Sequence, residues 1–395
     1  MPKYDFDNVP SREGTYSFKF DFAKEMGHDP DELPMWVADM DFPTAPCVVD
    51  AIKEYSSKGF FGYSDNKEDY TDVVIDWFSR RYGVKYEPEW LVKTPGVVFA
   101  IYNAIRAFTS PGDSILIQTP VYYPFSMAIN DNGRTIIENE LVYTPGASPE
   151  YTIDIDDFIR KIESNDVKMF ILCSPHNPVG RTWTEEELSQ MGEICFDHGV
   201  IVVADEIHCD LMRYGHKFLP FLKSCPEMRE SSIICTAPSK TFNLAGLCTS
   251  NIWIPNEKLR NQFRENLAKV AANSTNILGI IACKAAYEGG EDWVDEVNAY
   301  IDGNVDYMRD FLAENLPQLH MVEPEGTYLI WVDFSALGME TEKLNDFIQH
   351  KAKLWLDSGS MFGGEGGQFQ RFNLACPRST VEKAMKQLKA AVDEL

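Results

Sequence analysis

Short apolar runs alternate with longer helical stretches between residues 49 and 290, and this alternation restricts the possible folds most strongly. The runs are apolar on both faces, as in parallel strands that helices cover from both sides. The runs lie at 114–118, 169–173, 200–204, 232–235 and 249–253, and the helical patterns lie at 48–58, 70–82, 97–109, 184–198 and 257–268. This order predicts an α/β fold built on a mostly parallel sheet.

The pattern changes after residue 290. A long helical pattern at 292–315 precedes a strand at 327–333, a helix at 342–353, a glycine-rich stretch, a strand at 370–374 and a terminal helix at 379–395. Ser379 and Glu382 have the spacing of a capping box for that last helix. We therefore predict a large α/β domain at 49–290. Residues 1–48 and 291–395 would form a smaller α+β domain.

Charge and cysteine content narrow the function classes. The chain has 36 Lys and Arg against 61 Asp and Glu, a net charge of −25. Nucleic acids and anionic membranes attract cationic surfaces, so neither is an expected partner. No apolar run reaches the ~18 residues of a membrane span, and the start has no secretory pattern. The nine cysteines contain no C-x-x-C pair, which predicts free thiols, no metal site and a cytoplasmic protein.

A lysine directly after an apolar strand is the first candidate for chemistry. Lys240 lies in Thr-Ala-Pro-Ser-Lys-Thr-Phe-Asn, which follows the run 232–235. Ligands of open α/β sheets bind at the carboxyl ends of strands. A partly desolvated lysine there has a lowered pKa and can form a Schiff base with an aldehyde. A surface loop lysine is the alternative interpretation.

Two carboxylates end the apolar run 200–204, and Asp205 is the first of them. A carboxylate in this position can pair with the cationic ring nitrogen of a cofactor. One alternative is an acidic helix start that the helix dipole stabilises. The other is a metal site made of Asp205, His208 and Asp210, for which no second histidine cluster has a matching spacing.

Three weaker signals follow other strands. Asn177 lies in a rigid Asn-Pro turn and could donate to a phenolate oxygen, whereas a plain turn is the alternative. Tyr122 and Tyr123 could stack on a planar ring or simply pack in the core. Gly96, before Val97 and Val98, opens a helix whose first N–H groups could bind an anion.

An arginine within the apolar strand 370–374 requires an anionic partner. Arg371 has a guanidinium fork that matches the carboxylate of a substrate. A buried structural ion pair is the alternative.

Together these groups suit pyridoxal 5′-phosphate (PLP) with an amino-acid substrate. Their order resembles the fold type I PLP enzymes of the class I/II aminotransferase superfamily, over nearly the whole chain. The resemblance implies that Lys240 carries the cofactor. It further implies that cofactor contacts come from Asp205, Asn177, Tyr122, His208, Gly96, Val97, Val98 and Ser239, and substrate contacts from Arg371 and Ala38.

Longer motifs resemble one subgroup, the cystathionine β-lyases and C–S lyases. They are Met-Trp-Val-Ala-Asp-Met-Asp-Phe at 35–42, Asp-Glu-Ile-His at 205–208, Ala-Pro-Ser-Lys-Thr-Phe-Asn at 237–243 and Arg-x-Asn-x-Ala-Cys-Pro-Arg at 371–378. His208 stands where many aminotransferases have tyrosine, and Cys248 where many have a phosphate-binding arginine. The resemblance also implies a homodimer in which Tyr63 reaches the neighbouring subunit's phosphate site.

The subgroup implies a C–S β-lyase that cleaves L-cystathionine or related cysteine S-conjugates to a thiol, pyruvate and ammonia. Lys240 would take the α-proton, and Lys240 or Tyr123 would protonate the departing sulfur. An aminotransferase is the first alternative, because the same lysine can serve both reactions. A PLP-binding regulatory protein is the second.

Overall fold

Seven strands form the central sheet of the computed structural model, which describes residues 3–146, 148–272 and 275–395. In spatial order they are Leu91–Thr94, Ser250–Trp253, Ser232–Thr236, Ile201–Asp205, Val167–Cys173, Ser114–Ile117 and Thr135–Glu138. Only the two pairings made by Ser250–Trp253 are antiparallel, so the other strands all run in one direction. The predicted α/β fold with a mostly parallel sheet is confirmed.

The strand Val167–Cys173 shows why the apolar runs do not alternate with polar residues. Its Phe170 and Leu172 belong to one apolar cluster and its Ile171 to another, because successive side chains point to opposite faces. Helices cover both faces: Leu188 contributes to the first cluster and Ile101 to the second. Each face of the sheet is therefore buried.

The run at 249–253 was expected to be a parallel strand, and this prediction was wrong. Ser250–Trp253 is antiparallel to both neighbours. The chain leaves Ser232–Thr236 and makes only the short helix Pro238–Thr241 and the 3₁₀ turn Ala245–Leu247 before it re-enters the sheet. A parallel return usually uses a long crossover helix that leads back to the other end of the sheet, and this connection contains no such helix.

The predicted helices are present with small shifts of their ends. The α-helices of the described residues are Pro46–Ser57, Glu68–Tyr82, Val97–Phe108, Pro124–Asp131, Ile155–Asn165, Glu185–Asp197, Phe221–Ser224, Pro238–Thr241, Glu257–Lys269, Ile277–Gly289, Glu291–Asn315, Thr341–Asp346 and Arg378–Asp393. The pattern at 342–353 is less regular than expected, since its second half, Phe347–Lys351, is a π-helix.

The capping box expected for the terminal helix is absent, and this prediction was wrong. The helix begins at Arg378 with Pro377 as its N-cap, so Ser379 already lies in the first turn. The hydroxyl of Tyr300 accepts a hydrogen bond from the backbone N–H of Arg378 at 2.7 Å. A side chain from the long helix Glu291–Asn315 thus satisfies one of the N–H groups that a cap would have served.

A second, four-stranded sheet lies in the C-terminal part of the chain. Its order is His320–Met321, Leu329–Asp333, Phe369–Asn373 and Asp357–Ser358. One short strand of the N-terminal segment pairs with this part of the chain, since Leu33–Pro34 is parallel to Leu354–Trp355. A small hairpin of Val142–Thr144 and Glu150–Thr152 completes the strands of the described residues. The domain boundaries at 48/49 and 290/291 stay a prediction.

Two findings concern the predicted free thiols and the possibility of a membrane span. All nine cysteines are free, as predicted, and seven of them are buried. Among the described residues, no helix combines the length and the apolar character needed to cross a membrane.

Candidate active site

A pocket lies where the parallel strands of the large sheet end. The predicted site residues that line it are Ala38, Gly96, Val97, Val98, Tyr122, Asn177, Asp205, His208, Ser239 and Lys240. They come from the ends of several strands and from the N-terminal segment. Because parallel strands present their carboxyl ends at one edge of a sheet, residues distant in sequence meet there.

Lys240 lies in the short helix that follows the strand Ser232–Thr236. Its Nζ donates a hydrogen bond to the carbonyl oxygen of Ala38 at 2.6 Å. Burial lowers the pKa of Lys240 to about 8; Arg371 acts in the same direction, while Asp39 and Asp205 oppose the shift. An appreciable fraction of this amine is neutral near that pH, so it can act as a nucleophile or a base.

Asp205 is the last residue of the strand Ile201–Asp205 and is 4% exposed. One carboxylate oxygen accepts the backbone N–H of Ile207 at 3.1 Å. Burial raises the pKa of Asp205 to about 7, and the Ile207 hydrogen bond and Lys240 only partly oppose this. A cationic N–H in the pocket would hold this carboxylate ionised. The ring nitrogen of PLP fits such a position.

His208 presents an imidazole nitrogen for which the described residues offer no partner. The side chain is buried, and its Nδ1 makes no hydrogen bond to any described group. Burial moves the pKa of His208 well below its ordinary value, so the ring is neutral. An unpartnered buried polar atom beside a pocket is costly unless a ligand satisfies it. This observation supports a polar ligand in the pocket.

Asn177 and Arg371 are directly connected. Nη1 of Arg371 donates to Oδ1 of Asn177 at 2.9 Å, and Nη2 donates to the carbonyl oxygen of Trp36 at 3.1 Å. Nη2 also forms an ion pair with Asp357. Among the described residues, none accepts a hydrogen bond from the side-chain amide of Asn177, which lies in the pocket lining. Both interpretations of Arg371 from the sequence therefore stay possible, since it has a structural ion-pair partner and lies beside the site.

The other end of the pocket suits an anion. Gly96 is the N-cap of the helix Val97–Phe108, whose first N–H groups lack intrahelical partners. A Cβ placed on Gly96 would meet no heavy atom of the described residues within 4 Å, so these residues leave space in front of this helix start. Ser239 and Thr249 add hydroxyl groups to the same pocket. Backbone N–H groups and hydroxyls are donors that a phosphate can use.

Two further predicted residues, Tyr123 and Tyr63, are not part of the pocket lining. The ring centroid of Tyr123 is 5.5 Å from that of Tyr122, but only Tyr122 is part of the pocket lining. Burial, with Asp357 nearby, raises the pKa of Tyr123. Tyr63 is fully exposed and is not part of the lining in the single chain. The functional roles of both residues stay predictions.

The sequence analysis assigned no site role to six residues of this region, which are Pro95, Cys173, Ile207, Ala245, Thr249 and Asp357. Ala245 and Thr249 line the pocket beyond the lysine motif. The contact of Asp357 with Arg371 is visible only from the strand register, which places the two residues opposite each other on neighbouring strands. The signal in the sequence was an acidic residue that ends an apolar run at 354–356, but its partner lies 14 positions away.

The possible metal set of Asp205, His208 and Asp210 is not supported. The carboxylate of Asp210 accepts hydrogen bonds from the Trp77 indole at 3.1 Å and the Thr241 hydroxyl at 2.9 Å. Its oxygens are therefore already engaged in the core.

Comparison with known proteins agrees with this geometry. The family model "Aminotransferase class I and II" matches residues 31–388. The cystathionine beta-lyase PatB of Bacillus subtilis is 42% identical, over 98% of this chain and 99% of its own. A PLP-bound C–S lyase from Staphylococcus hominis is 34% identical, covers 98% of both chains and has a TM-score of 0.91. Cystalysin from Treponema denticola, which contains PLP, is 36% identical over 99% of both chains with a TM-score of 0.95.

The family model spans most of the chain, and the relatives match it from end to end. The pocket at the strand ends has the lysine, acidic, amide and anion-binding groups that the resemblance implied. The chain belongs to the aminotransferase class I and II family.

Proposed function

We propose that this protein is a PLP-dependent C–S β-lyase that cleaves L-cystathionine or related cysteine S-conjugates to a thiol, pyruvate and ammonia. The observation that carries the proposal is Lys240, whose pKa is lowered to about 8, in a pocket shared with Asp205, Asn177 and His208. The end-to-end match to the cystathionine beta-lyase PatB, at 42% identity, supports this activity over others of the family.

The residues present fit PLP. Lys240 would bind its aldehyde carbon, Asp205 its ring nitrogen and Asn177 its phenolic oxygen, while Tyr122 would lie against the ring. The N–H groups after Gly96, with Ser239, would hold the phosphate. When bound, PLP supplies an electron-withdrawing ring that stabilises negative charge at the substrate's Cα.

Lys240 would carry the proton of the reaction. The pKa of Lys240, lowered to about 8 by burial, suits an amine that would remove the α-proton of a bound substrate. Asp205 would hold the proton of a cationic ring N–H by charge pairing. Arg371 would bind the α-carboxylate and so fix which bonds of Cα face Lys240.

Loss of the α-proton and of the sulfur leaves an unsaturated three-carbon amino acid, which water converts to pyruvate and ammonia. The departing sulfur needs one proton to leave as a thiol. Lys240, which has just gained a proton, or the Tyr123 hydroxyl would supply it. The pKa of Tyr123 is raised by burial, so this hydroxyl keeps its proton at neutral pH.

The deciding experiment measures pyruvate release from L-cystathionine by the PLP-loaded protein with no keto acid added. Catalytic pyruvate formation that is lost in Lys240→Ala supports the lyase. Amino-group transfer that begins only when a keto acid is added would identify an aminotransferase instead. If neither occurs although the cofactor is bound, other cysteine S-conjugates are tested, and a PLP-binding regulatory role follows when these also fail.

We also propose a homodimer with shared active sites. The exposed residues Phe60, Phe61 and Tyr63 form an apolar segment that a second copy would cover. Mixing Lys240→Ala with Tyr63→Ala subunits tests this arrangement, because a hybrid dimer with shared sites contains one site with both native residues. Recovered activity in the mixture supports shared sites; activity equal to the mean of the two parents contradicts them.

A cytoplasmic location is proposed as well. The free thiols support it, since reducing compartments keep cysteines unpaired. Fractionation of cells that express the tagged protein would test it.

A further inference from the structure

Arg371 has a resident acidic partner, Asp357, and we propose that this carboxylate competes with the substrate's α-carboxylate for the guanidinium. Asp357 would then be a positioning residue that sets substrate affinity. The inference rests on the proposed role of Arg371 as the carboxylate-binding group. It adds a residue that controls how tightly this group binds.

The backbone register brings the two residues together. Asp357 lies directly opposite Arg371 in the antiparallel pair formed by Asp357–Ser358 and Phe369–Asn373. Opposite residues in such a pair point to the same face of the sheet. Both side chains are buried: Arg371 is 2% exposed and Asp357 is 4% exposed. The ion pair is therefore fixed by the sheet and shielded from water.

The hydrogen-bond count shows why a substrate has to compete. A guanidinium has five N–H donors in a fixed fork. In Arg371, both protons of Nη2 are given to the Trp36 carbonyl and to Asp357, and one of Nη1 is given to Asn177. Both two-donor edges of the fork include Nη2. A carboxylate that binds two donors on one edge must therefore displace or share an acceptor already present.

Asp357 is the acceptor that a substrate carboxylate can displace from Arg371. The Trp36 carbonyl belongs to the backbone, and the Phe362 ring lies 4.9 Å from the guanidinium carbon, so Arg371 itself has little room to move. A substrate carboxylate would bring a second negative charge to a guanidinium whose charge Asp357 already offsets. In a buried site this repulsion is weakly screened. The affinity for the substrate should therefore be lower than Arg371 alone would give.

The carboxylate also has a benefit, since it keeps Arg371 oriented before the substrate arrives. An asparagine at position 357 would retain an oxygen acceptor but lose the charge. It separates the two effects, because orientation is kept and competition is removed. A purely structural ion pair gives the opposite expectation: its loss would loosen Arg371 and weaken binding.

The test uses the PLP-loaded protein and 3-(methylthio)propanoate as the probe. This molecule has the carboxylate and thioether of a cysteine S-conjugate but no amine, so it binds without reacting. Isothermal titration calorimetry gives its Kd. For Asp357→Asn we expect a Kd roughly tenfold lower than in the parent protein. The KM for L-cystathionine should fall in parallel, with kcat equal or lower because the carboxylate product leaves more slowly.

Matched variants make the result specific. Asp333→Asn also removes a buried carboxylate from the same sheet, but Asp333 accepts hydrogen bonds from the Tyr143 hydroxyl at 2.8 Å and from the backbone N–H of Ser335 at 2.7 Å, and none from Arg371. It should leave the Kd of the probe unchanged. Asp357→Ser carries the same expectation as Asp357→Asn and replaces it if the asparagine variant does not fold.

The variant Arg371→Gln tests the carboxylate-binding role of Arg371 separately from the competition by Asp357. If this variant binds the probe as tightly as the parent does, Arg371 is not the carboxylate-binding group, and the inference falls with that role. If Arg371→Gln loses binding but Asp357→Asn binds the probe equally or more weakly, the role of Arg371 stands and the competition by Asp357 is refuted.

Discussion

The side-chain amine of Lys240 donates a hydrogen bond to the backbone carbonyl of Ala38, a contact that spans 202 positions of sequence. This bond orients Nζ within the pocket, and the segment around Ala38 is held in turn by the C-terminal part. The amide of Asn373 donates to the carbonyl oxygens of Val37 and Asp39 at 2.7 Å each. The position of the reactive amine thus depends on three distant stretches of the chain.

Replacement of Lys240 by alanine should abolish turnover, by roughly a thousandfold or more, because proton transfer and cofactor attachment are lost together. The visible absorbance that arises when PLP is bound through a lysine should disappear, while thermal unfolding changes little. Lys240→Arg is the matched control, since it keeps a cation near Asp205 and Asp39 but lacks a neutral amine. Substantial activity in either variant would contradict the assignment.

The pH dependence of stability should report on Asp205 in the PLP-free protein. Burial raises its pKa from 3.8 to about 7, so the folded state keeps a proton that the unfolded chain has lost. Folding then takes up a proton in this window, and stability falls as the pH rises, by about 1.4 kcal/mol for each pH unit. Urea unfolding at pH 5 and pH 7 should show a smaller fall in Asp205→Asn. Equal slopes in both proteins would refute this origin.

Replacement of His208 by phenylalanine should separate stability from cofactor binding. The unpartnered buried Nδ1 is lost, so the PLP-free variant should unfold at an equal or higher temperature than the parent. The affinity for PLP should nevertheless fall, roughly fivefold, because the ring no longer offers a hydrogen bond. Fluorescence titration with PLP measures this. An unchanged affinity would mean that the imidazole does not contact the cofactor.

Gly96→Ala tests the anion-binding end of the pocket. The new Cβ meets no heavy atom within 4 Å in the part of the chain that the structure describes, so folding should be unaffected. The methyl group would occupy space in front of the helix start, and the affinity for PLP should fall roughly tenfold. Gly359→Ala is the contrasting variant: its Cβ would approach the carbonyl oxygen of Gly366 to 2.0 Å, and the protein should be destabilised. Full PLP affinity in Gly96→Ala would place the phosphate elsewhere.

The strands and helices that a local pattern of apolar residues determines could be predicted from the sequence. Runs such as the one ending at Cys173 are apolar on both faces, which only a doubly covered sheet requires, and their ends bring Asn177, Asp205 and Lys240 to one edge. The direction of Ser250–Trp253 was missed because its composition does not record how the preceding connection returns.

Side-chain contacts between elements that are distant in sequence could not be predicted either. The hydroxyl of Tyr300 serves the start of the terminal helix, and no local pattern near Ser379 shows this. Asp357 likewise has meaning only through the register that sets it opposite Arg371.

The pairing of Leu33–Pro34 with Leu354–Trp355 has a consequence for the order of events during synthesis. The stretch that holds Lys240 through Ala38 is made long before its partner strand Leu354–Trp355. A nascent chain ending before residue 354 would contain Lys240, Asp205 and Asn177 but lack both this pairing and Arg371. The pocket geometry that depends on this pairing and on Arg371 therefore forms only after both segments have been made.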